Sequence, residues 1–132
     1  MKRIFTFMTA LFIGAAATAQ VTVTFQVDVT NYVAGGATLD ATGIRVGGNF
    51  SSNGATANGG PMADWSPTTP TSAMTDLGNG IWEIAVDFPA SSVGLPLLYK
   101  FINGNWGMNE GTDPANTIVA GGCGVDDGSG NI

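Results

Sequence analysis

The 132-residue chain has no histidine, one cysteine and only four basic side chains, against ten carboxylates. Without histidine, His-based general-base catalysis, Ser-His and Cys-His nucleophiles and His-ligated zinc are all excluded. A single cysteine, Cys123, makes neither an internal disulfide nor a Cys-rich metal site. Three fates stay open for it: pairing with another molecule, pairing with residues beyond Ile132, or burial as a small apolar side chain. Lysine and arginine are too few to cluster against phosphates, so nucleic acid is not an expected partner.

The few bases are unevenly placed. Lys2 and Arg3 precede an apolar run from Ile4 to Ala17, and Ala17 and Ala19 stand where a signal peptidase takes small residues. That run is 14 residues, short of the roughly 20 a membrane-spanning helix needs. The expectation is therefore a signal peptide over residues 1–19, cleaved near Ala19, and a secreted or cell-surface chain over residues 20–132 with no membrane span. The mature part keeps Arg45 and Lys100 against all ten carboxylates, a net charge of −8.

Alternation dominates the mature part. Val21, Val23, Phe25, Val27 and Val29 alternate with Thr22, Thr24, Gln26 and Asp28, the period-2 pattern of a half-buried strand. Asn31 to Thr42 reads as loop, and Gly43 to Gly48 as a short strand with close backbone packing. Asn49 to Pro70 reads as a long polar loop containing Trp65. Ala73 to Thr75 reads as a short strand leading into a turn over Asp76 to Gly80. Ile81 to Phe88 places Trp82, Ile84, Val86 and Phe88 on one face and Glu83, Ala85 and Asp87 on the other. Leu95 to Ile102 is the next strand, with Leu97, Tyr99 and Phe101 opposite Lys100, and Asn103-Gly104 turns the chain into Asn105-Trp106. No segment of the mature part has helical periodicity, and the recurring turns predict an all-β antiparallel sandwich.

Chemistry-bearing clusters are sparse. Glu83 with Asp87, or Glu110 with Asp113, pair carboxylates, but no sign of a substrate cleft accompanies them and catalysis is not expected. Asp126 to Asn131 has the oxygen density of a calcium loop without its full pattern, so an acidic tail is the preferred reading and neither a metal nor a cofactor is expected. The aromatics say more. Trp65 stands in a polar loop and Trp106 just past a hairpin turn, both off the period-2 core positions. Each either caps an end of the core or presents a flat ring on which the C–H face of a sugar stacks.

Taken together, Val23-Thr24-Phe25-Gln26-Val27-Asp28, Val46-Gly47-Gly48-Asn49-Phe50, Trp65, Met74-Thr75-Asp76 with Gly80-Ile81-Trp82-Glu83, and Tyr99-Lys100-Phe101-Ile102-Asn103-Gly104-Asn105-Trp106 resemble the starch-binding and glycogen-binding carbohydrate-binding modules. The resemblance runs from Val21 to about Pro114 and implies an immunoglobulin-like antiparallel β-sandwich. Domains of this kind recur in surface and secreted proteins of Bacteroidetes. The family's last strand has no counterpart before Ile132, so a sandwich missing that strand is expected. The resemblance also implies a non-catalytic module, part of or derived from a larger polysaccharide-degrading enzyme. By it, Trp65, Lys100 and Trp106 form the site for a polysaccharide, an α-glucan, with Asn105 and Glu110 as added hydrogen-bonding partners. Lys100, opposite Tyr99 and Phe101, is expected to reach outward as a donor between two stacking platforms. The alternative is a structural or adhesive sandwich repeat that keeps the fold without a sugar site.

Overall fold

The computed structural model describes residues 20–109. The signal-peptide expectation over residues 1–19, and the expectations on Glu110, Asp113, Cys123, the 126–131 segment and the absent last strand, lie outside the described residues. Among those described, no helix is long and apolar enough to cross a membrane.

The alternating Val/Thr segment forms the first strand, β1 (Gln20–Asp28), and the Trp82-Ile84-Val86-Phe88 segment forms β6 (Ile81–Pro89). They pair antiparallel along their whole lengths, with Phe25 opposite Ile84 and Val23 opposite Val86. Because cross-strand partners share a face, this register gathers the apolar positions of both strands on one side. On the other side Thr22 donates to Asp87 at 2.5 Å and Gln26 to Glu83 at 2.6 Å. The two β6 carboxylates are thus tied into cross-strand polar pairs.

β2 (Ile44–Gly48) and β7 (Tyr99–Asn103) form the second sheet, again antiparallel, with Val46 opposite Phe101 and Gly47 opposite Lys100. Its inner face meets the first sheet through rings. Phe25 packs edge-on against Phe50 at 5.8 Å and against Tyr99 at 4.9 Å. Val46, Phe50 and Val86 are fully buried between the sheets. The result is an all-β sandwich of two antiparallel sheets.

Four expectations about its parts need correction. Asn31 to Thr42 is not all loop: it begins with a short helix, α1 (Thr30–Ala34), of five residues, too short to show a helical period. The Asn49 to Pro70 stretch is largely structured. It holds a 3-10 turn (Ser51–Asn53), a small hairpin of β3 (Thr56–Ala57) and β4 (Gly60–Pro61), and then a second 3-10 turn (Pro70–Ser72). β3 joins the first sheet opposite Asp87. The strand expected at Ala73 to Thr75 switches sheets instead. Ala73 bridges Arg45, and Met74 N–H donates to Ile44 O at 3.0 Å. The next four residues, β5 (Thr75–Gly78), then pair with β6. The β5–β6 turn narrows to Asn79 and Gly80, both at positive φ, which suits the twist of a two-residue hairpin.

The fourth correction concerns Leu95 to Leu98, expected as strand but lying ahead of β7. Pro96 has no N–H to give a ladder, and Asn49 pairs there with its side chain as well as with its backbone N–H, which donates to Leu98 O at 3.1 Å. Its Nδ2 donates to Pro96 O at 3.1 Å, and its Oδ1 accepts from Leu98 N–H at 2.8 Å.

Candidate functional site

On the outer face of the β2–β7 sheet, alternation places Arg45, Gly47, Lys100 and Ile102 together. Two segments converge on this face. One is the loop after β4, which delivers Trp65. The other is the turn after β7, which delivers Trp106.

Trp65 sits at φ 49°, a left-handed backbone unusual for a bulky aromatic. Its N–H donates to Gly48 O at 2.7 Å, pinning the loop to the end of β2. The preceding residue adds a second anchor: the Asp64 carboxylate accepts from the Ser52 N–H at 3.0 Å and from the Ser52 hydroxyl. These bonds hold the Asp64 carboxyl below the ordinary carboxylate range, the hydroxyl contributing most. On the other side of Trp65, the Arg45 guanidinium donates to Thr69 O at 3.1 Å, Pro67 O at 3.3 Å and Thr42 O at 3.2 Å. Its Nε is buried without a partner. One arginine on the outer face of β2 therefore stitches three loop carbonyls to the sheet.

Trp106 reaches this face because the β7 strand ends in a tight turn. Asn103, buried, accepts the Asp40 N–H at 2.7 Å and donates to Thr38 O at 2.9 Å and to the Tyr32 hydroxyl at 3.2 Å. Past it, Asn105 Oδ1 accepts the Trp106 N–H at 2.8 Å. The indole Nε1–H of Trp106 then donates to the backbone carbonyl of Trp65 at 3.2 Å. The two ring centroids lie 6.2 Å apart with planes inclined by 41°. Both rings meet solvent, Trp65 at 37 % and Trp106 at 42 % exposure. Neither ring belongs to the main core cluster; the tryptophan packed against it is Trp82, half-buried.

The structure thus brings Trp65, Trp106 and Asn105 to one surface, with Lys100 on the sheet beside them. Lys100 does not play the part expected of it. It lies opposite Tyr99 and Phe101 as the alternation requires, yet it is 5 % exposed. Its cross-strand partner is Gly47, and the Trp106 ring lies over Gly47, so the outer face is roofed where an outward-reaching lysine was expected. Tyr99, on the inner face, is the more exposed of the two at 38 %.

Arg45, Ser52, Asp64 and Asn103 carry the geometry of the pair and were not among the site residues read from sequence. Most of their partners, backbone and side chain alike, lie a dozen or more residues away, where no local pattern marks them. Among the described residues no group of three or more His, Cys, Asp or Glu side chains is placed to hold a metal ion. No family model matches the chain, and neither a curated protein nor a solved structure matches it.

Proposed function

We propose that this chain is a secreted, non-catalytic carbohydrate-binding module whose ligand is an α-glucan of the starch or glycogen type, held by aromatic stacking. The observation that carries this reading is the exposed indole pair, fixed side by side on the outer face of the β2–β7 sheet. A flat ring offers an apolar face to the C–H side of a pyranose, and two rings inclined to each other suit a chain that curves as it runs. Asn105, exposed and adjacent to Trp106 in the same turn, is a polar side chain at the edge of the pair. Burial of a ligand on so open a surface is shallow, so affinity per sugar is weak and several sugars contribute.

Two observations favour the rival reading, a structural or adhesive repeat with no sugar site. Lys100 is buried, and the Trp106 Nε1–H is already spent on Trp65 O, so the pair has fewer outward donors than a sugar site ordinarily uses. Retention on insoluble starch, compared with cellulose, xylan and chitin, separates the two. Selective retention on starch, released by soluble maltooligosaccharide, supports the glucan site. Passage through every matrix assigns the domain to the spacer class.

A further inference from the structure

We propose that Gly47 is a positioning residue for the indole pair: having no side chain, it seats the Trp106 ring on the outer face of β2 and so sets the angle between the two rings. Its effect on ligand binding rests on the carbohydrate-binding reading above, whereas its effect on ring placement does not.

Gly47 lies inside an extended strand, where its backbone makes no demand for glycine. What it supplies is space. A Cβ there would stand 3.2 Å from Trp106 Cη2, 3.3 Å from Trp106 Cζ2 and 2.8 Å from Ile102 Cδ1. The Ile102 contact is with a terminal methyl, which rotation about χ2 moves away even though that side chain is buried at 1 % exposure. The indole has no such freedom. Its backbone N–H is held by Asn105 Oδ1 at 2.8 Å, and its Nε1–H by Trp65 O at 3.2 Å. That acceptor is itself fixed, because Trp65 N–H is bonded to Gly48 O at 2.7 Å. An added methyl at position 47 therefore pushes a rigid ring outward, lengthening the bond to Trp65 and changing the 41° inclination.

Neighbouring glycines thus serve the two tryptophans differently. Gly47 clears room for one ring, and Gly48 offers its carbonyl to the other tryptophan's backbone. The pair stands ready-made before any ligand arrives, which spares the cost of ordering two large side chains on binding.

Gly47→Ala, Trp106→Phe and the double variant, compared with wild type in the full chain, test this. Two close, inclined indoles couple their electronic transitions and give a paired circular-dichroism band of opposite signs, which Trp65→Phe and Trp106→Phe should each abolish. Gly47→Ala should shrink or invert that band and weaken binding of maltoheptaose about tenfold. Phe lacks the outer indole ring that the new methyl meets, so adding Gly47→Ala to Trp106→Phe should change affinity by less than about twofold. A folded Gly47→Ala protein with the band and affinity of wild type overturns the assignment. If Gly47→Ala alone does not fold, a double variant that folds supports it, and a double variant that also fails overturns it by placing the clash elsewhere. If wild type binds no maltoheptaose, the sugar-binding reading falls while the band still decides the role of Gly47.

Discussion

The indole N–H of Trp106 donates to the main-chain carbonyl of Trp65, 3.2 Å away and 41 residues earlier in the chain. Through that bond the loop after β4 and the turn after β7 present their rings as one unit. The properties of the surface depend on how the unit is held and on what each ring leaves exposed.

Trp106→Ala removes one stacking platform and also the donor that steadies the other. Truncating a contact aromatic of this kind typically costs about 2 kcal/mol, some thirtyfold in affinity. Titration with maltoheptaose should therefore register almost no binding for Trp106→Ala, and a similar loss for Trp65→Ala. The thermal melt of Trp65→Ala should stay close to wild type because that ring is exposed, whereas Trp106→Ala should melt modestly lower because that ring also covers Gly47 beside Lys100. A large drop in melting temperature in both would mean that the rings serve packing.

Lys100 should behave as an interior residue. Its near-complete burial means that Lys100→Ala removes packed methylenes as well as a charge. A loss of about 1 kcal/mol in a domain of this size lowers the melting temperature by roughly 4–8 °C. Lys100→Ala should show a loss at least that large. An unchanged melt together with weakened glucan binding would restore Lys100 to the exposed role the sequence predicted.

Arg45 is expected to be irreplaceable by lysine. A planar fork reaches three carbonyls at once, and a single ammonium does not. Leaving buried or half-buried acceptors without their donor costs about 1–3 kcal/mol. Arg45→Lys should thus melt well below wild type. The Thr68 and Thr69 amides should exchange faster, and Trp65 should lose fluorescence anisotropy. Equal exchange rates in the two proteins would refute the anchoring role.

Asp64 links stability to acid. Hydrogen bonds from Ser52 lower its folded-state pKa below the unfolded value, so the stabilisation is fully present above the unfolded value and disappears as pH falls through the folded one. With an unfolded carboxyl near 3.9, the loss should fall below about pH 4. Asp28 and Asp40 are lowered in the same direction by Thr30 and Thr42, and they contribute to the same limb of the curve. The difference between wild type and Asp64→Asn isolates the Ser52 contacts. It should be largest near neutral pH and narrow in acid; a difference independent of pH would contradict the assignment.

The parts of this fold legible in the chain are those where chemistry repeats at short range. Val21 to Val29 and Trp82 to Phe88 alternate strictly, and a sheet face selects for that period, so β1, β6 and the all-β class could be read from the residues alone. The Asn-Gly turns were legible for a similar reason: a tight hairpin needs positive φ, which these residues tolerate. Asn58-Gly59 carried the same signal inside the stretch read as loop, and it turns β3 into β4.

Tertiary structure decided the rest. Alternation placed Lys100 opposite Tyr99 and Phe101 correctly, but it could not tell which side of a two-stranded sheet would be roofed, because that depends on where Trp106 folds back. Leu95 to Leu98 looked like strand by composition, yet a proline interrupts it and Asn49 holds it by side chain as well as backbone. That Trp65 and Trp106 share a surface was likewise settled by contacts far apart in sequence: Ser52 with Asp64, Arg45 with the 67–69 carbonyls, and Gly48 with Trp65. Period and turn chemistry act between neighbours and so are written along the chain. A surface made of two loops exists only once non-local hydrogen bonds have closed around it.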